Sequence, residues 1–340
     1  MISNPSLSHS RVMPDCHVSH GGCVGFTSHV SYQRVVPSYV GGDIGCGILT
    51  YPLNKRRINL KRIDSIIRST IPMGTGHYNI HPIPPVEESY ISKYLSAAQH
   101  DADLFACRIG VPPITINYEY FSSLCEKIGI DLNVCLCSFG TLGSGNHFIE
   151  INRDPNSEEH FLTIHSGSRA FGMKLFEYHN SFVDRSCNCL VDEFAVAYCF
   201  DLICAQHLAI MNRHIMLQLI LREIGVEYNR SDVIESIHNY IDFKRENIIL
   251  RKGAISAEDG EMCIVALNMR DGILLCRGKG NPDWNFSCAH GCGRIMSRAD
   301  ARRKIKLKEF KKSMENVVSS CVRIETIDEA PSAYKDMHII

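Results

Sequence analysis

Asp43 and Cys46 stand three residues apart among four glycines, in the stretch VGGDIGCGI. Glycine weakens strand and helix interiors and is used where the backbone needs positive φ or very close approach. Such a loop is suited to aiming a carboxylate and a thiol. Other Gly-, Asn- and Ser-rich islands recur along the chain: MPDCH, GTLGSGNHFIE, HSGSR, HNY, RKGAISA and HGCGRIMSR. Polar residues in tight turns at strand ends typify sites carried on loops by a rigid scaffold. Taken as ligands, Asp43, Cys46, His147, His165 and His238 offer one carboxylate, one thiolate and three imidazoles. One tetrahedral ion needs fewer donors, so the set suits two ions sharing a bridge, a role thiolate can fill. Mixed O, N and S donors fit a borderline ion such as Zn or Mn. A lone His is more often a satisfied polar residue than a ligand, so co-occurrence of the islands carries the weight.

His290 differs from the other three because Arg294 and Arg298 follow it in HGCGRIMSR. A neutral imidazole nitrogen can act as a nucleophile, and guanidiniums suit phosphate oxygens. The alternatives are a sixth metal ligand or an ordinary loop histidine. Familiar phosphate-loop signatures fail: GILLCRGKGN has the wrong spacing, with no Ser or Thr after Lys279. A G-x-S-x-G elbow is absent, against a serine hydrolase. RRKIKLKEFKK, Arg302 to Lys312, holds seven basic residues in eleven. It is either a solvated helix face or a receptor for an RNA backbone.

The elements that must position these residues are those of an ordinary globular protein. The chain has 340 residues, 45% hydrophobic and 21% charged. A formal net charge of -1 leaves no global field for a polyanion, so any such site is a local patch. Sixteen cysteines occur without C-x-x-C spacing, the closest being the C-x-C pairs Cys135/Cys137 and Cys187/Cys189. The opening MISNPSLSHSRV has no apolar signal core, so reduced thiols and a cytoplasmic location are expected. The most apolar run, Phe194 to Met211, contains Asp201, Gln206 and His207, which predicts a buried helix rather than a membrane span.

Periodicity and Gly/Pro punctuation predict strands between Met13 and Leu53 and helices over 59–68 and 87–107. HFIEI and HFLTIH read as strands, Val191 to Ile224 as one long helix or a pair, and IIL, CIVAL and ILLC as strands. A last helix starts near Ser297 and runs through the basic segment. Without repeats or linkers, residues 1–340 are expected to form one compact α/β (α+β) domain with mixed β-sheets surrounded by helices.

In order, these islands resemble the RtcB family of RNA ligases. MPDxH, VGxDIGCG, GTLGxGNHFIE, HSGSR, HNY, RKGA, HGxGRxMSR and DExPxAYKD span nearly the whole chain, from about Met13 to Asp336. The resemblance implies a central dinuclear cleft and a GTP-dependent ligase. Such an enzyme joins RNA 3′-phosphate or 2′,3′-cyclic phosphate ends to 5′-hydroxyl ends, as in tRNA splicing or RNA repair. It further implies two Mn²⁺ ions held by Asp43, Cys46, His147, His165 and His238, with Cys46 as the bridge, and His290 as the guanylated nucleophile. Asp15 belongs to an essential island. Arg169, Arg294 and Arg298 would hold RNA or nucleotide phosphates. Asn146, Glu150, Asn239 and Tyr334 would contact GTP or GMP. The expected partners are RNA ends and GTP, with an archease-like activator, and no membrane. By the same comparison, segments that the family has at both termini are expected to be missing. Two other functions fit the same residues: a ligation-defective metal- and RNA-binding protein, and a metal-dependent cyclic phosphodiesterase.

Overall fold

A computed structural model describes residues 6–19, 22–54, 57–74 and 87–339. It is an α/β structure whose two principal sheets have four strands each. In the first, the order is Leu7–Ser19, Gly22–Val30, Ile249–Lys252, Asn239–Asp242. In the second, it is Phe148–Arg153, His160–Ser166, Gly47–Pro52, Ile234–Ile237. The chain passes from the second sheet to the first at His238, the single residue between Ile234–Ile237 and Asn239–Asp242.

The fold class is as the sequence predicts, but the expected mixed sheets are corrected. Every pairing between the described strands is antiparallel, and parallel contacts occur only as the isolated bridges Met73–Gly143 and Ala266–Gly291. Parallel neighbours need a crossover connection. Here hairpins join Leu7–Ser19 to Gly22–Val30 and Phe148–Arg153 to His160–Ser166, and the helices lie in long excursions between antiparallel partners.

Asp192–Ile224 is one continuous helix of 33 residues. Its first two thirds pack with Glu88–Ile109 and with Phe26, Ile241 and Leu250 of the first sheet, in the largest apolar cluster. Its last turns, at Met216, Leu217, Ile220 and Leu221, pack with Leu49, Leu162 and Ile164 of the second sheet and Ile63 and Ile67 of Leu60–Thr70. One helix therefore ties both sheets together, which is why it is apolar on nearly every face. Long and apolar enough to cross a membrane, it has 72% of its most apolar stretch buried in the fold.

The predicted last helix is broken. Arg298–Lys304 begins with the Ser297 side chain accepting from the Asp300 backbone N–H, as the sequence suggests, but ends at Ile305; a second helix follows over Leu307–Ser313. Ala301, Ile305, Phe310 and Met314 all enter one cluster with Ile327, Ala330 and Ala333. The change of axis brings the apolar side chains of both short helices to the same core.

Candidate metal centre

Four of the five predicted ligands gather at one edge of the second sheet because its strands alternate in direction. Cys46 immediately precedes Gly47–Pro52, and His147 immediately precedes Phe148–Arg153. His165 is the penultimate residue of His160–Ser166, and His238 immediately follows Ile234–Ile237. His165 is paired with both Ile48 and Phe148, and Gly47 with both Ser166 and Ile237. Antiparallel pairing thus turns four separate chain ends into one rim. The fifth ligand, Asp43, sits in the preceding loop, closed by the Cys46 N–H donating to the Asp43 carbonyl at 3.2 Å. Gly45 lets this loop press on the long helix: at φ +66°, a Cβ there would lie 2.7 Å from that of Ala209.

The donor atoms form two triads, Cys46, His165, His238 and Asp43, Cys46, His147, each within 4.8 Å, with Cys46 common to both. Cys46 Sγ lies 3.2 Å from His165 Nε2 and 3.5 Å from His147 Nε2. His147 Nε2 is 3.0 Å from Asp43 Oδ2, and the Nε2 atoms of His165 and His238 face each other at 3.2 Å. A carbonyl only accepts, so the bonds from His147 Nδ1 to Leu142 O at 2.8 Å and from His165 Nδ1 to Asn146 O at 3.0 Å place the protons on Nδ1. Both Nε2 atoms then face the centre, the orientation that hydrogen-bonded carbonyls give metal-bound histidines; the His147 Nε2 lone pair becomes available when an ion replaces the proton that Nε2 donates to Asp43 Oδ2. His238 Nδ1 is buried without a partner among the described residues.

The electrostatics agree with a cation site. Burial, with His147 next in effect, pushes His165 down to about 3, and burial, with His290 and His165, also pushes His238 well down. Both are therefore neutral donors. Burial opposes ionisation of Asp43, yet His147 outweighs it and holds the carboxylate well below its usual range. Burial and Asp43 together push the Cys46 thiol far up. Arg213 and the Gly47 N–H favour the thiolate without prevailing; a cation bound there would add to them, and its binding would release that proton. The residues present fit a metal centre: each triad could hold one ion, and Cys46 is a donor available to both.

His290 stands beside this centre, its ring centroid 4.8 Å from that of His238. It follows Ser287–Ala289, which pairs with Ala254–Ser256, and its own carbonyl accepts from Ala266 N. The ring is held by Asp15, which is fully buried: Nδ1 lies 2.6 Å and the backbone N 3.2 Å from Asp15 Oδ2. Asp15 occupies a register shift between Val12 and His17, opposite Gly25. A Cβ at Gly25, where φ is +82°, would sit 2.7 Å from Asp15 Oδ1. The irregularity aims the carboxylate out of the ladder, a common use of bulges.

The other predicted residues are distributed around this core. Arg169 opens the helix Arg169–Asn180, and its Nε donates to Thr141 at 3.2 Å. The Asn146 backbone orients His165, while its side chain is exposed. Burial raises Glu150 to about 7 despite a bond from Asn152. Asn239 ties the Asp43 loop to the turn after Lys252, donating to Asp43 O at 3.4 Å and accepting from Gly253 N at 3.1 Å. Arg294 donates to Tyr334 Oη at 3.2 Å and Asp328 O at 2.6 Å, and Arg298 pairs with Asp328 at 2.7 Å and with Glu329. Both guanidiniums thus have protein partners with which a phosphate would compete.

Three residues of the site carry no signal in the spacing of motifs. Lys252 is buried, donates to Val40 O at 3.2 Å, and is lowered to about 8 by that burial. Lys335 donates from Nζ to Pro14 O and Cys16 O, both at 2.8 Å, gripping the chain on either side of Asp15. Arg213, fully buried, donates to Gly45 O and Ser166 O at 2.7 Å each, next to Cys46 and His165. The RKGA and AYKD islands hold the two lysines, but only the folded chain shows what they touch.

Fold and site together define an α/β protein with two candidate metal-binding triads that share Cys46, beside a carboxylate-held imidazole. The sequence profile of tRNA-splicing ligase RtcB matches residues 3–340, and the chain belongs to the RtcB family. The RNA-splicing ligase RtcB of Escherichia coli (strain K12) is 28% identical over 372 residues, covering 98% of this chain and 85% of that protein. The tRNA-splicing ligase RtcB of Nanoarchaeum equitans is 26% identical over 408 residues, covering 97% and 83% respectively. That of Methanococcus maripaludis is 24% identical over 401 residues, with 97% and 82% covered.

Proposed function

We propose that this protein is an RNA ligase that uses GTP and two Mn²⁺ ions to join a 3′-phosphate or 2′,3′-cyclic phosphate end to a 5′-hydroxyl end, through a guanylated His290. The observation that carries this is the Asp15–His290 pair placed against the two triads. Asp15 accepts from Nδ1, so that proton stays on the inner nitrogen and Nε2 keeps its lone pair for attack. Manganese, when bound, would draw charge from the nucleotide phosphate oxygens and polarise them. His290 Nε2 forms a bond to the α-phosphorus of GTP while pyrophosphate departs. The guanylyl group then passes to the RNA 3′-phosphate and restores neutral His290. The 5′-hydroxyl oxygen attacks the activated phosphate, loses its proton and expels GMP. A cyclic end is opened by water before this sequence starts.

Asn146, Glu150, Asn239 and Tyr334 are assigned to the nucleotide, and Arg169, Arg294 and Arg298 to phosphates. The test is incubation with Mn²⁺ and α-labelled GTP, followed by denaturing electrophoresis. Acid-labile label is expected on the wild type and on neither His290→Ala nor Cys46→Ala. Metal bound without label transfer would sink the ligase mechanism. Cyclic-phosphate turnover retained by His290→Ala would point instead to a phosphodiesterase.

A further inference from the structure

The eleven residues Arg302 to Lys312 carry seven cationic side chains and one anionic one, Glu309, in a chain whose formal net charge is -1. The fold divides these cations into two groups. Arg302 pairs with Asp328 at 3.3 Å, and Arg303 and Lys304 both pair with Asp300. Lys306, Lys308, Lys311 and Lys312 are all exposed and make no ion pair or side-chain hydrogen bond among the described residues. Three of them, Lys308, Lys311 and Lys312, have the i, i+3, i+4 spacing of one helix face. The opposite side of that helix is anchored by Phe310, which is 1% exposed, in the cluster with Ile327, Ala330 and Ala333. The next residues of the same segment, Tyr334 and Lys335, bond to Arg294 and to the Asp15 strand. A face of uncompensated charge is therefore fixed to the segment that braces His290.

We infer that Lys306, Lys308, Lys311 and Lys312 form a docking surface for an RNA phosphodiester backbone, outside the metal centre; this rests on the proposed ligase function. Lysine ammoniums are point charges that take phosphate oxygens without reading bases. The one aromatic residue in the run, Phe310, is buried, so the face has no platform for base stacking. The contact is accordingly independent of sequence and dependent on salt. Each phosphate neutralised on a single strand contributes about 0.7 to the slope of log K against log salt.

The experiment is a titration of a fluorescent single-stranded RNA with a 3′-phosphate by the full chain, from low to moderate KCl. Lys306→Gln/Lys308→Gln/Lys311→Gln/Lys312→Gln is compared with Arg303→Gln/Lys304→Gln. The quadruple variant is expected to bind more weakly and to flatten the salt slope by up to about 3. The paired-residue variant should leave the slope nearly unchanged. Guanylation by labelled GTP is measured on every protein and should be equal in the wild type and the quadruple variant, which reports correct folding. Should the wild type not guanylate, the ligase mechanism fails while the RNA titration still decides the surface. An unchanged slope in the quadruple variant would overturn the inference, as would equal flattening by Arg303→Gln/Lys304→Gln. Loss of binding to phosphatidylserine vesicles without loss of RNA binding would also overturn it, in favour of a membrane surface.

Discussion

Asp15→Asn tests whether the carboxylate sets the reactivity of His290. The substitution keeps the shape of a fully buried side chain, and Asp15 belongs to neither donor triad, so the metal centre should assemble normally. What changes is the acceptor: one carboxylate oxygen lies 2.6 Å from His290 Nδ1 and 3.2 Å from the His290 N–H. An amide oxygen is a weaker acceptor for the ring N–H. An amide NH₂ turned toward the ring would instead require Nδ1 to accept, which moves the proton to Nε2 and removes the attacking lone pair. A hydrogen bond to a charged group contributes about 1.5–3 kcal/mol, because it is made without full solvent competition. At about 1.4 kcal/mol per decade, the guanylation rate should fall by about 10- to 150-fold. Single-turnover labelling with α-labelled GTP at saturating Mn²⁺ measures the rate, and elemental analysis counts the metal retained. Wild-type rate with wild-type metal content would refute the role given to Asp15. Loss of metal alongside rate would show that Asp15 instead supports the centre.

Two further perturbations address the frame around the site. Lys335→Met removes two bonds to the carbonyls that flank Asp15, each worth at most about 1.5–3 kcal/mol before solvent competition, and should slow guanylation with little change in KM for GTP. Lys335→Arg should restore much of the rate, and an unaffected Lys335→Met enzyme would dismiss the brace. Glu235 lies 2.7 Å from Arg213 Nε; burial opposes its ionisation, but Arg213 and His214 outweigh that and hold it at about 2, below the ordinary 4.5. A depressed carboxyl stabilises the fold fully above about pH 4.5 and loses that contribution as the pH falls toward 2, about 3 kcal/mol in all. Glu235→Gln should lower stability at pH 7 by a similar amount, because it leaves the buried Arg213 charge uncompensated. Its urea-unfolding free energy should decline less between pH 4.5 and 2 than the wild type's; parallel declines would remove Glu235 as the cause.

The five candidate ligands were legible because each lies in a short Gly- or Asn-marked segment at a strand end, where local sequence and local structure say the same thing. Their convergence follows from strand direction, and the expected mixed sheets missed this. Only antiparallel order brings the ends beside Cys46, His147, His165 and His238 to one rim. The helices Tyr118–Lys127 and Leu132–Ser138 carry little sequence signal although Asn117 and Asp131 cap them, because each is short and its apolar residues do not fill enough turns to show a period. Arg169–Asn180 is hidden for another reason: it starts at a residue with φ +59° and has no side-chain cap, so HSGSR reads as loop to its end. The basic run reads as one helix because charge pattern alone does not locate a change of axis; the shared cluster of Ile305 and Phe310 does. Least legible were contacts between distant segments. Asp15 and His290 are 275 positions apart, Lys335 and Pro14 are 321, and no periodicity relates them. Sequence announces groups that coordinate; the carboxylate and ammonium that hold those groups in place become visible only once the termini of the fold meet.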